Sequence, residues 1–279
     1  MFELIVVLYN MTYSESPTIN SLNTLLTSDC FPEIQQVLIF DNSNQATQPR
    51  DLATRFVYQH SEENVGLAKA YNYAIKQRNP KTEWLVTLDQ DTQLTNAYLK
   101  ELLSKAKTLP ETVVALAPVV MDQQQQISPV RSDTLRPLHK ELPKGDQIFS
   151  KNIMVINSGT AIRMAFLLQI AGYNEEFPLD YLDHWLSWKI FSEQKQLYSL
   201  KSVLQHELSV LNYAEQMTVS RYQAILRAEY SYYLKYASNL LPAYRKQLFL
   251  RSCKQFLTGK INYGRLTFNF LITGGNNGN

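Results

Sequence analysis

The chain is short of the residues that staple a fold or anchor it in a membrane. It holds two cysteines, Cys30 and Cys253, in 279 residues. They lie far apart and in no metal-type spacing, which argues against a zinc site and for a reducing compartment. No run of about 18 apolar residues occurs, so no transmembrane helix is expected. Met1 to Leu8 lacks the basic lead-in of a secretory signal and reads as a strand instead. The formal net charge is only +2, which gives no global attraction for a polyanion, and nucleic acid is not an expected partner. A cytoplasmic location is expected. Acidic residues are missing from one region: none follows Glu229, while Lys235, Arg245, Lys246, Arg251, Lys254, Lys260 and Arg265 remain.

What is present centres on Trp84-Leu85-Val86-Thr87-Leu88-Asp89-Gln90-Asp91-Thr92. An apolar run of strand length ends in two carboxylates one residue apart. Ligands of open α/β sheets bind outside the carboxyl ends of the strands. Two such acids suit one hard cation, which can in turn hold a diphosphate. The competing reading makes Asp89 and Asp91 turn residues, one of them capping a helix that begins near Asn96.

The rhythm of the first 120 residues is strand then helix. Apolar runs occur at Leu4 to Leu8, Val37 to Phe40, Phe56 to Tyr58, Trp84 to Leu88 and Val113 to Val120. Between them Ile19, Leu22, Leu25 and Leu26, then Leu67, Ala70, Tyr71, Ala74 and Ile75, then Leu99, Leu102, Leu103 and Ala106 repeat at helical spacing. This pattern predicts a parallel sheet with crossover helices. Polar clusters follow three strands, at Asn10, Asp41 and Asp89, so they could share one edge. Residues 121–150, with Gln123 to Gln126 and three prolines, read as an irregular excursion. A strand resumes at Ile153 to Ile156, helices follow at Arg163 to Ala171 and Tyr181 to Gln194, and a last strand runs Leu197 to Leu204 and ends at His206. Residues 216–279 read as a basic, aromatic, helical region that either lies on an anionic membrane or packs as a cap. Their tail, from Thr273, is expected to be disordered.

Five segments in order resemble the family 2 inverting nucleotide-sugar glycosyltransferases of the GT-A fold. They are Val6-Val7-Leu8-Tyr9-Asn10, Phe40-Asp41-Asn42-Ser43, Asn64 to Asn72, Leu88 to Thr92, and Gly172 to Phe177 leading to Asp180-Tyr181-Leu182-Asp183. Within the family, the Leu-Asp-Gln-Asp-Thr and Asp-Tyr-Leu-Asp segments look most like bacterial rhamnosyltransferases of surface polysaccharide synthesis. The resemblance implies a Rossmann-like, mixed and mainly parallel sheet flanked by helices, with a C-terminal helical extension. It implies a GT-A domain over 1–215, with a nucleotide-binding half at 1–120 and an acceptor and catalytic half at 151–215.

The resemblance also implies roles. Tyr9, Asn10 and Asp41 would hold the nucleoside, the Asp41 carboxylate accepting from a base N–H. Asn64, Gly66, Lys69 and Asn72 would line the nucleotide, with Gly66 allowing close backbone approach. Asp89 would lie at the ribose and metal, and Asp91 and His206 would bind Mn2+ or Mg2+. Ser158 and Gly159 would border the sugar. Asp183 would be the catalytic base, against the alternative of a first-turn acid complementing a helix dipole. The expected donor is dTDP-rhamnose or a UDP-sugar and the expected acceptor a lipid-linked glycan, with peripheral contact at the inner face of the membrane. A non-catalytic nucleotide- or glycan-binding subunit on the same fold is the alternative from another class.

Overall fold

The computed structural model describes residues 1–27, 30–46, 51–135, 142–206 and 217–274. The chain divides into two compact units, one of Met1–Arg131 with Leu138–Glu207 and one of Ser132–Pro137 with Leu208–Asn279.

The first unit is built on one sheet. Its strands are β1 (Phe2–Leu8), β2 (Ile34–Asp41), β3 (Phe56–His60), β4 (Trp84–Asp89), β5 (Thr92–Gln93), β6 (Val113–Asp122), β11 (Thr160–Arg163) and β12 (Gln196–His206), joined at its margins by β7 (Gln125–Ser128) and β9 (Gln147–Phe149). The order is β3-β2-β1-β4-β11-β6-β12-β5. β1, β2, β3 and β4 run parallel, β11 runs antiparallel between β4 and β6, and β12 returns parallel to β6. The sheet is therefore mixed and mainly parallel, the GT-A arrangement. β8 (Val130–Arg131) and β10 (Ile153–Met154) form a separate two-stranded ribbon. All seven residues of β1 are buried, as a central strand covered on both faces requires.

Helices α1 (Pro17–Leu26), α2 (Gly66–Gln77), α3 (Asn96–Thr108), α4 (Met164–Gln169) and α5 (Leu182–Ser192) belong to this unit. Proline at the start of α1 costs it no hydrogen bond, and Ser16 caps it by accepting from Ile19 N at 3.3 Å. α3 is capped by Thr95, which accepts from Tyr98 N at 3.2 Å. Neither Asp89 nor Asp91 is that cap. The core joins Leu4, Val6 and Leu8 of β1 to Ile19 and Leu22 of α1 and Leu99 and Leu102 of α3.

Three local expectations shift. The strand at Ile153 to Ile156 stops at Met154, and the sheet strand is the next segment, β11. The helix expected from Arg163 begins at Met164, because Arg163 is still paired with Trp84 in the sheet. The excursion over 121–150 carries three short strands, with 136–141 outside the described residues.

The elements of the second unit are helical: α6 (Val219–Lys235), a 3-10 turn at Ser238–Leu240, α7 (Leu241–Leu257) and α8 (Ile261–Thr273). Arg251 donates to both carboxylate oxygens of Glu229, at 2.8 and 2.9 Å. Gly264 lets α8 pack closely on α7, since a Cβ there would sit 3.0 Å from the Phe256 ring. The expected boundary at 215/216 lies outside the described residues. So does the tail from 275 on, while Thr273 still ends α8. Among the described residues, no helix is long and apolar enough to cross a membrane.

Candidate active site

Sheet register gathers the polar strand ends. Asp41 pairs with Leu8 across β1 and β2, and Asp89 pairs with Val7 across β1 and β4. Tyr9-Asn10, Asp41-Asn42-Ser43 and Asp89-Gln90-Asp91 thus lie side by side on one edge. The antiparallel β12–β5 pairing sets the backbone of His206 opposite Thr92, one residue from Asp91. The side chain of His206 lies outside the described residues.

The acidic turn is held by its neighbours' side chains. Thr18 Oγ1 donates to the Asp89 carbonyl at 2.5 Å and accepts from Thr92 N at 2.9 Å, while Ser16 Oγ donates to the Gln90 carbonyl at 2.6 Å. Gln90, the residue between the acids, grips the neighbouring loop. Its Oε1 accepts from Tyr9 N at 2.8 Å and its Nε2 donates to Tyr9 O at 3.3 Å. Asp89 and Asp91 are left half-buried at the rim. Among the described residues no three His, Cys, Asp or Glu side chains gather as a ready-made metal cage. Two carboxylates fit a hard cation nonetheless, because magnesium-type ions take one or two carboxylates and complete their shell with water and substrate phosphates.

Asn10 adopts a left-handed backbone, φ 51°, and donates from its N–H to Ser43 Oγ at 2.9 Å. It lines a cavity of about 320 Å³ with Met11, Thr12, Glu15, Ser43 and Asn44. Asp41 is wholly buried beneath this loop. Its carboxylate accepts from Ser43 N at 2.9 Å and from the Tyr58 hydroxyl at 2.6 Å. With its carboxylate on Ser43 N and the Tyr58 hydroxyl, Asp41 orders the Ser43–Asn10 loop from below.

Four further expected site residues have protein partners in the structure. Gly66, at φ +79°, does make a close approach, but to protein: a Cβ there would lie 2.5 Å from the Pro178 carbonyl. That carbonyl accepts from Leu67 N at 2.6 Å, so the start of α2 is already engaged. Asn72 clamps the Tyr173 backbone, donating to its carbonyl at 2.9 Å and accepting from its N–H at 2.7 Å. Ser158 is buried and its hydroxyl accepts from Asp89 N at 2.9 Å, which fixes the acidic turn. Gly159, at φ +78°, packs against Pro118 and Leu204, and its carbonyl accepts from the Tyr98 hydroxyl at 2.6 Å. These residues build the site's walls. Asn64 is exposed and its Oδ1 accepts from Gly66 N at 3.0 Å. Lys69 is exposed and lines a different cavity, of about 450 Å³, with His60, Tyr73 and Lys76, so it is not brought to the Asn10 cavity.

Asp183 sits in the first turn of α5, whose cap residue Tyr181 is left-handed at φ 65°. A non-glycine residue held there carries strain of the kind concentrated at functional sites. Burial alone would raise the Asp183 carboxyl, but the His184 charge and hydrogen bonds outweigh it and hold the group below the usual carboxylate range. Asp183 Oδ1 accepts from His184 N at 2.8 Å and lies 3.0 Å from His184 Nδ1. The His184 ring in turn packs on Tyr181, centroids 4.5 Å apart. The first-turn placement also complements the helix dipole, so that reading and an acid–base role coexist.

The Tyr71 hydroxyl of α2 is fully buried and makes no hydrogen bond. Its ionisation is opposed by burial first, then by the charge of Asp89, the Tyr173 hydroxyl and the charge of Asp183. Sequence reasoning placed Tyr71 at helical spacing and did not single out His184 or Gln90.

Comparison with known proteins agrees with this architecture. The profile described as Glycosyl transferase family 2 matches residues 4–170. The structure of S. aureus TarS 1–349 superposes with a TM-score of 0.54 at 16% identity, covering 97% of this chain and 82% of that one. GalNAc-T7, solved with UDP, GalNAc and Mn2+, gives 0.53 at 13% identity over 82% of this chain and 47% of that one. The mannosyltransferase PcManGT of Pyrobaculum calidifontis, solved with GDP-Man and Mn2+, gives 0.52 at 15% identity, covering 84% and 63%. No curated protein sequence matches the chain.

Proposed function

The chain belongs to glycosyl transferase family 2, and we propose from that premise that it transfers a sugar, with inversion, from a nucleoside diphosphate donor to a hydroxyl of a glycan acceptor. The observation that carries this is the sheet register, which sets Asp41 and Asp89 beside the end of β1 and gathers the polar strand ends on one edge. The donor lies along the β1, β2 and β4 ends, its nucleoside in the Asn10 cavity and its diphosphate toward Asp89 and Asp91. Those two carboxylates would hold a divalent ion, Mg2+ or Mn2+, with the His206 backbone opposite Thr92 in the sheet. When bound, such an ion offsets the charge that builds on the leaving diphosphate.

Inversion is a direct displacement, so the acceptor hydroxyl must shed its proton as it attacks. Asp183 is the acceptor of that proton. Held ionised by His184, it is a weak base, suited to take the proton as the new bond forms rather than beforehand. No covalent nucleophile is required. The Leu88–Thr92 and Asp180–Asp183 segments favour dTDP-rhamnose as donor and a lipid-linked surface glycan as acceptor.

Peripheral membrane contact belongs to the same reading. Phe249, Leu250 and Leu257 of α7 and Ile272 of α8 are exposed, in a region with no acid after Glu229. Apolar side chains beside uncompensated basic ones suit an anionic bilayer surface. Flotation with vesicles containing anionic lipid should recover the protein, and equal flotation with neutral vesicles would remove the claim.

The decisive experiment is a panel of nucleotide sugars with and without EDTA, products identified by mass spectrometry. Transfer from dTDP-rhamnose that EDTA abolishes is expected. Transfer from a UDP-sugar alone would change the donor. Tight donor binding with no hydrolysis or transfer would replace the enzyme with a binding subunit.

A further inference from the structure

The start of α5 holds an imidazole between two neighbours. On one side His184 Nδ1 lies 3.0 Å from Asp183 Oδ1, the same oxygen that accepts from His184 N at 2.8 Å. An ionised carboxylate can only accept, so the ring nitrogen that faces it carries a proton. On the other side the ring packs on Tyr181, centroids 4.5 Å apart and planes 32° apart. Tyr181 is itself fixed, left-handed at φ 65° with its carbonyl accepting from Trp185 N at 2.9 Å. The imidazole is thus gripped by one face and one nitrogen.

A histidine that served packing alone would be buried. The His184 side chain is 31% exposed and that of Asp183 24%, so a ligand can reach both. The two hydrogen bonds fall on Oδ1, which leaves Oδ2 as the oxygen for a substrate hydroxyl. The ionisable groups around the pair are few. Asp180 and Tyr181 precede it on the loop, and Lys189 further along α5 donates to Glu193 at 2.5 Å. Of the strands packed on α5, β10 carries no ionisable group, and on β12 Tyr198 and Lys201 are engaged by Asp146. From α2, the Tyr71 phenol feels the Asp183 charge. His184 is the one group among these that donates to the Asp183 carboxylate.

We propose that His184 is a positioning residue: its Nδ1–H holds Asp183 Oδ1 and so turns Oδ2 toward the attacking alcohol. The inference rests on Asp183 being the base. A base oriented by a third group meets the proton it takes in a fixed geometry. The same hydrogen bond favours the ionised carboxylate, so its loss raises the carboxyl pKa.

The test separates the ring from the nitrogen. His184→Phe keeps a ring against Tyr181 and has no N–H. His184→Asn sets an amide N–H where Nδ1 stood and has no ring. Both are assayed beside Asp183→Asn with the donor that the panel identifies. His184→Phe should lower kcat about tenfold, leave donor KM within about twofold, and move the acid limb of the kcat/KM profile to higher pH. His184→Asn should recover kcat to within about threefold of the parent and bring the acid limb back. The reverse pattern, a parental Phe variant and a slow Asn variant, assigns His184 to packing on Tyr181 and overturns the inference. Parental kcat in both, or an equal loss in both, overturns it as well, while Asp183→Asn stays inactive. Full transfer by Asp183→Asn overturns the base assignment instead.

Discussion

The two sides of the site are built by different means. On the donor side, sheet register does the positioning: Leu8, Asp41 and Asp89 are neighbours because β2, β1 and β4 pair in parallel. Short side chains then lock the turns, with Thr18 and Ser158 on Asp89 and Gln90 on Tyr9. On the other side no strand carries the base. Asp183 arrives on a loop and a helix start, and α2 secures the loop through Gly66 and Asn72. The first side is redundant, many bonds sharing one task. The second depends on a few contacts, each of which matters more. Gly66 and Asn72 hold one side against the other.

That contrast can be broken most severely at the base. Asp183→Asn should cost about 10²- to 10⁴-fold in kcat, the range of a lost general base, while donor affinity by calorimetry stays near the parent's. Equal loss of donor binding would erase the distinction between the sides.

The next largest effect should come from the loop anchor. Gly66→Ala puts a Cβ into the Pro178 carbonyl at a left-handed φ. The backbone term alone is about 1–2 kcal/mol, so urea denaturation should show at least that loss, with kcat falling more than donor affinity. A neutral substitution would mean that the loop does not depend on α2.

A milder effect is expected on the donor side. Gln90→Leu removes both bonds to Tyr9 but leaves Thr18 and Ser158 in place. Donor KM should rise about fivefold with kcat within about twofold, as for lost uniform binding. A large fall in kcat would show the donor side to be as fragile as the other.

The smallest effect sharpens the comparison through pH. The folded pKa of Asp183 is depressed, so its contribution to stability is present above its unfolded value, about 3.9, and is lost as pH falls through the folded value. The urea midpoint difference between parent and Asp183→Asn should therefore hold steady down to about pH 5 and close only below it. A gap that widens with acid would reverse the sign and the pairing with His184.

Much of the first unit was legible in order because continuous apolar runs such as Leu4 to Leu8 can only be central strands, buried on both faces. Asp89-Gln90-Asp91 was legible because a strand ending in acids is a local signal. β11 was hidden: Thr160 to Arg163 is four residues long and its strand character comes from inserting between β4 and β6. Asp41, Gly66, Asn72, Ser158 and Gly159 were legible as special, but their protein partners were not. A sequence shows that a residue breaks the surrounding pattern, not which partner it meets.

By itself, then, the chain determined the alternation of elements, the acidic turn after β4 and the basic, acid-free C-terminal stretch. These follow from periodicity and composition, which act within a few residues. Tertiary structure alone decided that Asp41 and Asp89 flank the end of β1, that Pro178 and Tyr173 engage the polar groups of α2, and that Asp41 meets Tyr58. Each of those is a contact across tens of residues, selected by which buried polar group finds a partner once the sheet has closed around it.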